Sequence, residues 1–234
     1  MEPGATTVDW TQAASGAELP ELAAVHWRPR VDEGSLRRAD RMWTLSAVGH
    51  AVPFVATAIV LAVLDPLLIP FSLIALGFAW VIPELYAARG AGVLRPPRGR
   101  SRASEDWNHD RAQSRALGLL ADLVDHEARD LLSRCGMALQ RGAFGVWLVA
   151  PAGALLVRPG GRRVQCYCVR VPDADLPTAD RVAHLLLALR EDESGFATVA
   201  NLSYSGSRRR LRRRLAPTGR DGLAAAVAAA RGGG

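Results

Sequence analysis

The chain contains no lysine. All 29 of its basic residues are arginine, so any mechanism needing a lysine amine, a Schiff base above all, is closed to it. Cysteine is scarce, with three in 234 residues, which excludes a disulfide scaffold. Charge is missing from two stretches: residues 42–64 hold no acid and no arginine, and neither do residues 66–83. Acids are missing from residues 131–172, which carry six arginines, Arg134, Arg141, Arg158, Arg162, Arg163 and Arg170. What is present bounds the class. Hydrophobic residues make up 49% and charged residues 22%, which excludes wholesale disorder. The length suits one ordinary domain with an accessory segment, or two small domains. Net charge is +6.

The uncharged stretches carry the strongest signal. Crossing a ~30 Å hydrocarbon core takes roughly 20 helical residues. Residues 43–64 and 67–88 read as two transmembrane helices joined by a tight turn at Asp65 and Pro66, where proline sits harmlessly at a helix start. A soluble core helix would show a polar face, and neither run does. The apolar run starts too late, and is too long, for a cleaved leader. Arg28, Arg30, Arg37, Arg38 and Arg41 precede the first run. Arg89, Arg95, Arg98, Arg100 and Arg102 follow the second, and the turn has none. The positive-inside rule then puts both termini in the cytoplasm. With arginine replacing lysine throughout, as GC-rich codon usage produces, the expected location is a bacterial inner membrane.

Inside the runs, Ala47/Ala51, Ala58/Ala62 and Ala75/Ala79 are small residues four apart, a spacing that lets helix backbones approach. Packing of the hairpin on itself is the expected use, ahead of a homodimer. His50 is the one ionisable residue within a span, and a hydrogen-bonded structural role is expected for it. Pro53 should bend the first helix. Asp65 and Glu84 fall at helix ends, within reach of water.

The remaining chain divides as follows. Residues 1–34 read as a weakly ordered arm. Residues 35–88 form the hairpin, with Ser35 as a helix cap. Residues 89–106 form a basic Pro/Gly linker, residues 107–214 a cytoplasmic α+β domain, and residues 215–234 a flexible tail. In the domain, residues 111–134 show helical periodicity ended by Gly136. Strands follow at 144–150, 154–158 and 163–171. In the last of these Val164, Cys166 and Cys168 face one way, Gln165 and Tyr167 the other. A helix from Pro177 to Arg190 buries Val182, Leu185, Leu186 and Leu189, and a last strand covers 196–204. The expected class is a two-helix transmembrane hairpin plus a small α+β domain: helix, three- to four-strand antiparallel meander, helix, strand.

That element order, with GVWLVAPAGALLV at residues 145–157, resembles a degenerate nuclease-related domain of the restriction-endonuclease-like superfamily over residues 111–204. The resemblance implies a strand–turn–Gly–strand active site. Such a site holds a divalent metal through an Asp before one strand and a Glu on the next, with a Lys two residues on. This sequence has none of the three there, and hard cations require oxygen ligands. No metal or cofactor is therefore expected, and the family's catalysis is not either. His126 and Glu127 are followed by Asp130 where a zinc helix would place a second His. Cys166 and Cys168 read as buried small hydrophobes. No nucleophile elbow or triad is evident, and His184 reads as structural. An enzyme would need Asp122, Glu127 or Asp173 to converge with His126 or His184 in one cleft.

Charge is the remaining feature. Arg208, Arg209, Arg210, Arg212, Arg213 and Arg214 flank Leu211, and so dense a run implies an anionic partner. With Arg158, Arg162 and Arg163 they form the expected binding set. Anionic lipid headgroups are the expected partner, stabilised by about 1 kcal/mol per nearby arginine. Nucleic acid, bound by counterion release, and a protein partner are the alternatives. The expected role is a non-enzymatic interaction or scaffold protein.

Overall fold

The first apolar run belongs to a helix much longer than itself. In the computed structural model, which describes residues 18–95, 106–169 and 176–232, helix α1 (Glu33–Leu64) has 32 residues. That is about 48 Å at ~1.5 Å per residue. Its cap is Asp32, not Ser35. The Asp32 carboxylate accepts from the Ser35 amide at 2.7 Å, and the Ser35 hydroxyl accepts from the Asp32 amide at 2.9 Å. This reciprocal pair satisfies two donors that the helix start would leave orphaned. Pro53 lies inside the helix without ending it. Asp65 accepts from the Leu67 amide at 2.8 Å, and one 3-10 turn leads into α2 (Ile69–Ala91). The helices pack on each other through buried Ala58 and Ala75 and stacked Phe54 and Phe78, ring centroids 5.8 Å apart. Both are long and apolar enough to cross a membrane. Their outward faces stay bare: Val52, Ile59, Leu73 and Phe78 are each more than half exposed.

The expected single helix at 111–134 is two, α3 (Asp106–Leu123) and α4 (His126–Cys135). The chain breaks where Val124 turns into the core, and the Arg129 guanidinium donates to the freed carbonyl of Ala121 at 2.7 Å. Gly136, left-handed at φ 65°, closes α4. Five antiparallel strands follow in chain order: β1 (Ala138–Gly142), β2 (Gly145–Ala150), β3 (Gly153–Val157), β4 (Arg163–Cys168) and β5 (Asn201–Ser207). Gly153 makes the β2–β3 hairpin possible. Its φ is 146°, and a Cβ there would stand 2.0 Å from the Tyr167 carbonyl oxygen, so only glycine fits.

Helices α5 (Thr178–Glu191) and α6 (Glu193–Val199) connect β4 to β5. The stripe Val182, Leu185, Leu186 and Leu189 is buried as expected, while His184 points outward. The expected strand at 196–204 begins only at Asn201, because Asp192 accepts from the Gly195 amide at 2.7 Å and starts a helix there instead. After β5 come α7 (Arg208–Arg214) and α8 (Pro217–Arg231). The expected flexible tail is thus, through Arg231, a helix that buries Leu223, Ala226 and Val227. The described part of the N-terminal arm is also docked. Val31 donates its amide to the Thr198 hydroxyl at 2.9 Å, and Arg30 pairs with Asp192 at 2.5 Å.

The sheet is covered on both faces, as the unbroken apolar runs of β2 and β3 require. Trp147, Leu156 and Tyr167 face α3, α5, α6 and Leu36 of α1. Leu148, Leu155 and Cys166 face the end of α2 with α7 and α8. The hairpin therefore straddles the outer strands: α1 lies on one face of β4 and β5, α2 on the other. Residues 89–95, expected as linker, are part of this packing, with Ala91, Val93 and Leu94 buried. Residues 96–105 of that linker, and residues 1–17 of the arm, lie outside the described residues.

At Gly90 the backbone of α2 lies close against β5. A Cβ there would meet Tyr204 Cβ at 2.4 Å, whereas nothing lies within 4 Å at Gly77. Gly90→Ala should destabilise the protein by about 1–3 kcal/mol, as overpacking does, and Gly77→Ala should not. Thermal or denaturant unfolding of the two detergent-purified variants checks this.

Candidate functional site

Three carboxylates on the hairpin meet arginines from the sheet side. Glu33, in the first turn of α1, pairs with Arg158 at the end of β3. Arg158 also donates to the Phe144 carbonyl at 3.1 Å. Asp40, two turns on, sits 3.9 Å from the Arg163 guanidinium, and it accepts from Gln165 Nε2 at 3.3 Å and from the Ser205 hydroxyl. Gln165 is fully buried on β4. It also donates to the Leu36 carbonyl at 3.2 Å and accepts from the Tyr167 hydroxyl at 3.2 Å. Glu84, near the end of α2, accepts from Arg214 Nε at 2.8 Å and lies 3.7 Å from Arg210. Water was expected to reach Glu84; instead it is 5% exposed.

These pairs sort the expected arginine set. Arg158 is buried and engaged by Glu33. Arg163, Arg210 and Arg214 are half-engaged, each with its guanidinium still partly open to solvent. Among the described residues, Arg162, Arg208, Arg209, Arg212 and Arg213 form no ion pair with a carboxylate. Arg208 is held below the ordinary arginine range by partial burial and then by the like charges of Arg231, Arg209 and Arg212.

The arginines border a groove of about 1140 Å³, larger than the roughly 300–1,000 Å³ of sites for drug-sized ligands. Its walls are apolar residues of α1 with Ala79 and Pro83 of α2, and its mouth carries Arg162, Arg163 and Arg210 beside Ser207. The floor at the mouth is aromatic. Trp43 meets Tyr86 edge-on at 5.5 Å and Tyr204 at 6.1 Å. The Tyr204 hydroxyl donates to the Ser207 carbonyl at 3.1 Å, and burial pushes its pKa up to about 12, so it stays a neutral phenol. His50 is tied to its own helix, Nδ1 lying 2.6 Å from the Ser46 carbonyl.

Elsewhere the chemistry is sparse. Burial raises the thiol pKa of Cys166 well above the usual range, which leaves an inert core residue, while Cys168 is exposed. Among the described residues no group of three or more His, Cys, Asp or Glu side chains is placed to hold a metal ion. Asp122 is exposed and lies 4.0 Å from the Arg129 guanidinium. The side chains of His126 and Glu127, and residues 170–175, lie outside the described residues. The chain matches no protein-family model, no curated protein and no solved structure.

The carboxylate partners were missed in the sequence because each lies far along the chain from its arginine. Replacing both Arg210 and Arg214 with Ala strands the buried Glu84 carboxylate. A fully buried unpaired charge costs several kcal/mol. Since both arginines are about two-fifths exposed, the expected loss is smaller, about 1–3 kcal/mol. Adding Glu84→Gln to the double variant should recover part of it, and unfolding of the unmodified protein, the double variant, Glu84→Gln alone and their combination completes a cycle that measures the coupling.

Proposed function

We propose that the chain is a two-pass protein of a bacterial inner membrane, with both termini cytoplasmic. In this reading it acts as an interaction or scaffold protein whose arginine-bearing domain is held against anionic headgroups. The observation that carries the reading is positional. The bare apolar surface of α1 and α2 runs from Met42 to Leu85. It stops where Arg162, Arg163, Arg210 and the rest of α7 begin. A helix that avoids water on every outward face needs lipid around it. A solvated core helix would instead be covered, yet only 6% and 11% of the most apolar windows of the two helices are buried. With the helices in a bilayer, α7 stands at headgroup depth because Glu84 fixes it to α2. Trp43 and Tyr86 then occupy the interface, where aromatic side chains collect.

The same arginines could serve nucleic acid, as the nuclease-related resemblance would have it. Headgroups are favoured because they are already beside the arginines, and a second ligand would have to displace them.

Two measurements on the full chain test the reading. Alkaline washing of membranes should leave the protein in the pellet until detergent is added; a monodisperse protein in detergent-free buffer overturns the proposal. In vesicles, tryptic cleavage within 208–214 should be several-fold slower with anionic than with neutral lipid, and the protection should fade in high salt. Equal rates on both lipids, or protection by DNA alone, would replace lipid contact with another partner.

A further inference from the structure

We propose that the groove between the hairpin and β5 holds a single anionic phospholipid, with its phosphate at Arg162, Arg163 and Arg210 and an acyl chain against α1. This rests on the membrane reading above and goes beyond it, from a charged surface to a defined site.

Three features argue for this occupant. The first is length. The groove follows α1 from Met42 to Ile59, 17 rises of ~1.5 Å or about 25 Å. One leaflet with its headgroups measures about half of a 40–45 Å bilayer. The second is polarity. The wall formed by Val48, Val52, Val55 and Ile59 is purely apolar, and the cations are confined to one end. A soluble anion would not need the wall, and a neutral hydrocarbon would not need the cations. The third is charge. Four arginines, Arg162, Arg163, Arg210 and Arg214, face two carboxylates, Asp40 and Glu84. The mouth therefore retains positive charge after its internal pairs are formed, and Arg162 has no carboxylate partner among the described residues. Guanidinium groups suit phosphate oxygens. A zwitterionic headgroup would bring its own ammonium group against these same cations, so an anionic lipid is preferred.

The site is separable from the diffuse charge of α7, and that separation makes it testable. The full chain is purified in mild detergent, mixed with phosphatidylglycerol or phosphatidylcholine, and weighed by native mass spectrometry. One phosphatidylglycerol should be retained per chain, in preference to phosphatidylcholine. Arg162→Gln should weaken retention about fivefold, the share of one arginine near an anionic headgroup. Val52→Trp, on an exposed face and outside the sheet core, should obstruct the acyl path along α1 and sharply reduce retention without changing the melting temperature. Neither change should remove the vesicle-charge dependence of cleavage in α7. Conversely, the triple variant Arg209→Gln, Arg212→Gln, Arg213→Gln should lose that dependence and keep the bound lipid. No retained lipid, equal retention of both lipids, or retention unaffected by Val52→Trp would overturn the site. If charge-dependent cleavage persists alongside such a result, the broader membrane reading survives; if the protein proves soluble without detergent, both fall.

Discussion

The structure depends on three carboxylates that hold the apolar hairpin to the sheet. Glu33, Asp40 and Glu84 project from helices whose outward faces avoid water, and each is answered by arginine from the sheet or from α7. An isolated exposed ion pair would contribute little. These differ in being half-buried or buried, and in sharing hydrogen bonds with Gln165, Ser205 and the Phe144 carbonyl. Breaking one leaves a charge in a poor solvent, so their value lies in fixing geometry more than in net stability. The result is that hairpin and sheet share their cores. Leu36 of α1 belongs to one cluster, and Ala87 and Ala91 of α2 to the other. β5, an edge strand that would otherwise present its face to solvent or to another chain, is gripped between the two helices.

This fusion is also where sequence reading falls short. The two apolar runs, the β2–β3–β4 meander and the buried stripe of α5 are local patterns, and periodicity reveals them. The carboxylate–arginine pairs join residues 123 to 130 positions apart in the chain, and nothing local marks them. β1 reads ALQRG, too polar to declare itself, and becomes a strand because β2 offers it a partner. The segment FATV in α6 has strand-forming residues, yet the Asp192 cap and the packing of Phe196 on Trp147, ring centroids 5.7 Å apart, override that preference. In α8 the alanine-rich end resembles a frayed tail. It is held because small residues let it lie close: a Cβ on Gly222 would be 3.0 Å from Leu148.

The arginine set was legible as a composition and not as a site. From the sequence, Arg158 and Arg162 look alike. In the fold one is buried against Glu33 and the other stands open at the groove mouth. α7 was read as a charge run, and the structure divides it by helical face. Leu211 enters the core, Arg210 and Arg214 turn to Glu84, and Arg209, Arg212 and Arg213 face outward. An arginine-only composition fits such dual use, because one guanidinium can donate to a carboxylate with one edge and to a phosphate with another.

The central claim is that the hairpin and the arginine-bearing helix move as one body, with α7 fixed at the depth of the phosphates. The direct measurement is electron paramagnetic resonance of a nitroxide at Arg209→Cys, with Cys135 and Cys168 replaced by Ser, in full chain reconstituted into neutral and anionic bilayers. The account predicts a restricted label at headgroup depth in both lipids, since the carboxylates that hold α7 belong to the protein. A freely tumbling label in bulk water, or one that reaches the surface only when the lipid is anionic, would contradict it.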